Sequence, residues 1–78
     1  DLITLYPNPV ENNLNIELNN LNEDVQYELY NTIGQQVLRG ELKANLSHTL
    51  NFSHQQSGIY FLKLRTNSGS MTKKIVKR

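Results

Sequence analysis

Residues 58–65 read Gly58-Ile59-Tyr60-Phe61-Leu62-Lys63-Leu64-Arg65, and the fold follows from how they alternate. Tyr60, Leu62 and Leu64 fall on one side of an extended chain. Ile59 and Phe61 fall on the other before that side turns charged, a period of two that a helix cannot produce. Apolar residues of both parities at the start predict a central strand, covered on both faces there. Downstream, Thr66-Asn67-Ser68-Gly69-Ser70 carries the Asn and Gly of a tight hairpin turn. Met71 to Lys77 is then a returning strand, with Ile75 inward and its lysines mostly outward.

Upstream the same period recurs. Leu14, Ile16 and Leu18 alternate with Asn13, Asn15, Glu17 and Asn19, and Val25, Tyr27 and Leu29 alternate with Gln26 and Glu28. After the turn-like Asn31-Thr32-Ile33-Gly34, the segment Gln35 to Leu42 pairs most simply with its predecessor as a hairpin, and Gly40 is expected as a bulge or bend. His48, Leu50 and Phe52 share a parity opposed to Thr49 and Asn51, which adds a short strand over Ser47 to Phe52. With Ile3 to Tyr6 the count reaches about seven short strands. The pattern predicts an all-β, immunoglobulin-like antiparallel β-sandwich, with a partly closed barrel as the structural alternative. Its core is expected to hold Leu14, Ile16, Val25, Tyr27, Leu29, Leu62 and Leu64.

The chain has 78 residues, enough for one domain spanning 1–78 with one thin core. It has no cysteine, so no disulfide staples that core, and the redox compartment stays open. No apolar run approaches the roughly 20 residues of a membrane helix, and no signal-peptide pattern opens the chain. Asp1 to Tyr6 looks like the start of a strand, so the chain reads as a piece of a longer secreted polypeptide.

The net charge of +1 conceals a division. Residues 1–39 carry Asp1, Glu11, Glu17, Glu23, Asp24 and Glu28 against Arg39 alone, a net of −5. Residues 40–78 carry Lys43, Lys63, Arg65, Lys73, Lys74, Lys77 and Arg78 against Glu41, a net of +6. The excess gathers at Lys73, Lys74, Lys77 and Arg78. A basic terminal strand is either a sheet edge guarded by lysines or a docking surface for an anionic partner.

Catalytic chemistry finds little support. His48 and His54 have no cysteine and no acidic neighbours at metal-ligand spacing, which predicts no metal site. Ser47, Ser53, Ser57, Ser68 and Ser70 sit outside any G-x-S-x-G elbow. Gly34, Gly40, Gly58 and Gly69 are too far apart to cradle a phosphate, so no cofactor is expected. Among the aromatics, Tyr6, Tyr27, Phe52 and Tyr60 have inward parity. Tyr30 and Phe61 do not, and they define the alternative reading, a carbohydrate-binding or structural accessory module. Nucleic-acid binding needs a broad basic and aromatic face, which one basic strand does not supply.

Three segments carry a resemblance that spans the chain in order. Leu5-Tyr6-Pro7-Asn8-Pro9-Val10, followed by Leu14-Asn15-Ile16, resembles the Y-P-N-P opening and L-x-I strand of the C-terminal sorting domains of the type IX (Por) secretion system of Bacteroidetes. Tyr30 to Val37 is similar to that family's G-x-x-V hairpin, with Gly34 and Val37 at the named positions. Gly58, Tyr60 and Leu62, then Lys73-Lys74-Ile75-Val76-Lys77, resemble its G-x-Y-x-L strand and basic-apolar terminus. Asn31 replaces the frequent Asp, another turn former, and Arg78 extends a terminus that often stops at Lys.

The resemblance implies a non-enzymatic sorting signal. A covalently linked N-terminal passenger would be taken by a shuttle protein and the outer-membrane translocon, without membrane insertion of this domain. It would be cleaved upstream of or near Asp1 by a sortase-like peptidase, then released or joined to anionic lipopolysaccharide at the cell surface. Recognition is expected on Lys73, Lys74, Ile75, Val76, Lys77 and Arg78, where an edge strand offers unpaired backbone.

Overall fold

The period of two resolves into seven strands in the computed structural model, which describes residues 3–19 and 21–78. They are β1 (Ile3–Tyr6), β2 (Asn13–Leu18), β3 (Val25–Asn31), β4 (Gln36–Leu42), β5 (Ser47–Asn51), β6 (Gly58–Thr66) and β7 (Gly69–Lys77). No helix occurs among the described residues. The strand start expected at Asp1 and Leu2, and the cleavage position beside Asp1, lie outside them.

The strands form two antiparallel sheets, ordered β1-β2-β5 and β4-β3-β6-β7. This is a sandwich and not a barrel. In the constant-type immunoglobulin order the fourth strand joins the first sheet. Here β4 follows β3 through a short turn and stays in the second, as the hairpin reading of the sequence required.

Two inner faces supply the core. Leu14, Ile16 and Leu18 of β2 oppose Val25 and Leu29 of β3 and Leu62 and Leu64 of β6, all buried. Ile3, Val10, Leu42, Leu50, Phe52, Tyr60 and Ile75 complete it, and no polar or charged side chain of the described residues is buried with them. Tyr60 brings the only hydroxyl, which donates to the Gln56 carbonyl at 2.6 Å. Its ring meets Phe52 edge-on at 5.9 Å, an arrangement the aromatic quadrupoles favour. A tyrosine at the start of the sixth strand bonding back to the preceding corner is a recurrent stabiliser of such sandwiches.

Four expectations change. Strand β6 is central, but only its inner face is covered: Ile59 and Phe61 are each 39% exposed, because no layer lies outside the second sheet. Tyr6 faces outward, since Ile3 and Leu5 take the inner parity of β1. The lysines of β7 are not mostly outward. Lys73 and Lys77 sit two residues either side of buried Ile75 and share its face half-buried, and only Lys74 points out. Long lysine stems tolerate this by lying along apolar surface with the ammonium in water.

The fourth concerns Gly40, which is neither a bulge nor a bend. Leu29 pairs with Leu38 and Tyr30 with Gln36, so the extra residue of the β3–β4 ladder is Val37. Gly40 pairs in register with Tyr27, whose ring lies across it: a Cβ there would come within 2.7 Å of Tyr27 Cε2. The glycine exists to let that half-buried ring lie flat.

Two stability predictions follow from this core. Leu62→Ala should cost about 2–5 kcal/mol in denaturant unfolding, whereas Tyr60→Phe, which loses one hydrogen bond, should cost about 1 kcal/mol. Gly40→Ala should destabilise by about 1–3 kcal/mol, as overpacked sites do. Most of that penalty should vanish in a Tyr27→Ala background, as a double-mutant cycle will show.

Candidate functional site

The motif residues gather at one end of the second sheet. Asn31 pairs with Tyr60 and Tyr60 with Ile75 in one cross-sheet row, and Gly58 pairs with Lys77 two rows on. The turn after β3 is organised by Asn31, whose Oδ1 accepts from the N–H groups of Ile33 (3.1 Å) and Gln35 (2.9 Å). Gly34 sits there at φ +84°, a conformation that favours glycine. Val37 is the half-buried bulge residue packed on the core. Leu14 and Ile16 lie across the core in the first sheet, and Leu62 beneath Tyr60 in the second.

The opening motif does something its sequence did not reveal. After Tyr6 the chain leaves β1, and Asn8 and Val10 reach the free edge of β7. The Asn8 side-chain amide donates to the Lys74 carbonyl and accepts from the Val76 N–H, both at 3.0 Å. Val10 then donates its N–H to the Val76 carbonyl at 2.7 Å and accepts from the Arg78 N–H at 2.9 Å, making a parallel bridge at Lys77. Four successive edge groups of β7 are thereby satisfied. The Asn8 carboxamide presents an N–H beside a C=O, as a peptide unit does, and uses both to pair where Pro7 and Pro9 have no N–H to offer. Both the Tyr6–Pro7 and Asn8–Pro9 bonds are cis. The segment bends at Asn8 and Pro9, and Val10, wholly buried, anchors it. The Tyr6 hydroxyl donates to Glu17 Oε2 at 2.9 Å, and that bond together with the carboxylate's charge holds its pKa above the usual tyrosine value.

The expected recognition residues are therefore unequal. Ile75 is fully buried and presents nothing. The backbone edge from the Lys74 carbonyl to the Arg78 N–H, expected to be unpaired, is occupied by Asn8 and Val10. Lys73 and Lys74 make no side-chain hydrogen bond or ion pair among the described residues, Lys77 Nζ donates to the Arg78 carbonyl oxygen, and Arg78 lies 3.9 Å from Glu11 in an exposed, weak pair.

Elsewhere the site chemistry is sparse. The described residues contain no group of three or more His, Asp or Glu placed to hold a metal ion. His48 lies in β5 and His54 in the turn after it. Tyr30 and Phe61 are cross-strand neighbours on the outer face of the second sheet. Burial first, then a hydrogen bond to Glu28, raises the Tyr30 hydroxyl pKa.

Residues 4–78 match the family model described as the secretion system C-terminal sorting domain, from β1 through the last residue of the chain. The chain belongs to this family of type IX sorting domains. No curated protein matches it. Family membership makes the sorting domain a signal for type IX secretion, implying a passenger that crosses the outer membrane. The family is one of sorting signals and not of catalysts.

The clasp can be tested on the isolated domain. Asn8→Ala should lower stability by about 1–2 kcal/mol through the loss of two long-range hydrogen bonds. Hydrogen exchange should quicken at the Val76 amide far more than at Ile75, whose N–H faces β6. Equal acceleration at both positions would contradict this role for Asn8.

Proposed function

We propose that the sorting domain carries its N-terminally linked passenger through the periplasm to the type IX outer-membrane translocon by way of a shuttle protein. A sortase-like peptidase then removes it, and the passenger is joined to anionic lipopolysaccharide at the cell surface or released. In that sequence the domain is a ligand and a substrate, with a surface to be read and no reaction of its own.

The observation that carries this reading is the family match over β1 to β7, which supports taking the whole sandwich as the signal. The terminal strand is the proposed recognition surface. Lys73 and Lys74 have no counter-ion among the described residues, and Lys77 and Arg78 extend the same positive field, which would draw an acidic receptor face. Val76 contributes half-exposed apolar surface beside them, while buried Ile75 serves by fixing the strand to the core.

The test is charge reversal and not truncation, because deleting Ile75 to Arg78 removes a core residue and the edge that Asn8 and Val10 hold. A passenger fused to the Lys73→Glu, Lys74→Glu, Lys77→Glu variant should fold yet remain in the periplasm of a type IX-competent host. Lys63→Glu, on the neighbouring strand, should be exported nearly as well as the parent. Fractionation at matched expression reads the outcome, and full export of the triple variant would move recognition to another surface.

A further inference from the structure

Only part of the β7 edge is occupied, and the remainder borders an apolar cleft. Lys74 and Val76 give their outward carbonyls to Asn8 and Val10, so residues of the same parity, Ser70 and Thr72, also turn their backbone away from β6. The N–H and C=O of Ser70 and Thr72 and the N–H of Lys74 have no partner among the described residues. Alongside them, a cleft of about 330 Å³ opens between β1 and the β6–β7 hairpin, lined by Ile3, Leu21, Leu64 and Met71. A second hollow of about 250 Å³ continues the seam past Leu5 to Lys73 and Lys74. Strand β1 flanks this seam but pairs with β2 and leaves it open.

The charges along the seam choose its occupant. Glu23, the acidic residue of the larger cleft, already accepts from the Asn67 N–H and the Ser68 hydroxyl, at 2.9 and 2.6 Å. Lys73 and Lys74 are left without counter-ions among the described residues. Two copies of this chain joined edge to edge about Thr72 would set Lys74 against Ser70 and Lys73 against Met71, so a second copy brings no acidic partner to either lysine.

We infer that an extended segment of the export machinery adds as a strand along Ser70 to Lys74. Its apolar side chains enter the seam between β1 and β7, and its acidic ones lie beside Lys73 and Lys74. Main-chain pairing supplies affinity and the alternating side chains supply selectivity, as in other strand-addition complexes. The clasp sets the limit of the added strand, because Asn8 occupies the Lys74 carbonyl and blocks pairing beyond it. This inference rests on the sorting-signal reading and assigns it a mode and a segment.

Proline at an edge position whose N–H faces away from the sheet leaves the ladder intact and removes a donor the added strand needs. Thr72→Pro and Ser70→Pro should each lower surface delivery of a fused passenger roughly tenfold or more, equivalent to ~1.4 kcal/mol of docking free energy. Thr72→Ala, which keeps the N–H, should be delivered like the parent. Purified proline variants should melt close to the alanine variant, and Ser70→Pro decides the matter if Thr72→Pro unfolds. Normal delivery of both proline variants, with a domain-less passenger retained in the periplasm, would overturn the seam and leave the sorting reading intact. Delivery of the domain-less passenger would overturn the sorting reading itself. A concentration-dependent dimer in sedimentation that Thr72→Pro abolishes would assign the edge to a second copy and also overturn the inference.

Discussion

The pairing of Asn8 and Val10 with the edge of β7 is the constraint on which the rest of the domain leans. A sandwich of this size buries a smaller fraction of its surface than a larger domain does and has no cysteine with which to staple itself. Its two sheets are separate ladders, held by apolar contact across the middle. The bend after β1 leaves the first ladder, bonds to the edge strand of the second and returns to the first at β2, seating Val10 in the core as it does so. Four hydrogen bonds join residues more than sixty positions apart, closing one flank of the sandwich.

From this closure the arrangement of the motif residues becomes intelligible. Tyr60 lies opposite Ile75, and Gly58 opposite Lys77, so the sixth strand presents the seventh to Asn8 and Val10. Tyr60 is itself fixed through Gln56, and Asn31 shares its row while shaping the neighbouring turn. Residues scattered along the chain thus build one corner. Their common task is to hold the terminal strand in a fixed position with a defined portion of its edge exposed.

How much of this was legible depended on whether the signal was local. Leu14-Asn15-Ile16 and Tyr60-Phe61-Leu62 declare their strands because alternation is a property of neighbours. Asn31-Thr32-Ile33-Gly34 declares its turn for the same reason. Val10 gave no such sign, since it stands alone after Pro9 and is buried by a strand at the far end of the chain. Asn8 gave none either, because nothing nearby indicates that its amide completes a distant ladder. Gly40 was misread since its use depends on the ring of Tyr27 across the hairpin, not on its own backbone. Lys73 was placed outward by its charge, while the parity of Ile75 puts it on the inner side. The terminal strand was readable as basic, but which of its backbone groups remain available was decided by Asn8 and Val10.

The meeting of the first and last segments carries a temporal implication. Residues 8–10 are made before residues 74–78 and cannot be seated until these exist to receive them. A chain interrupted before Ile75 lacks both a core side chain and the edge that closes the flank, so its sandwich stays open and its seventh strand unpresented. A polypeptide stopped there would carry the opening motif yet not the shape that motif helps to build.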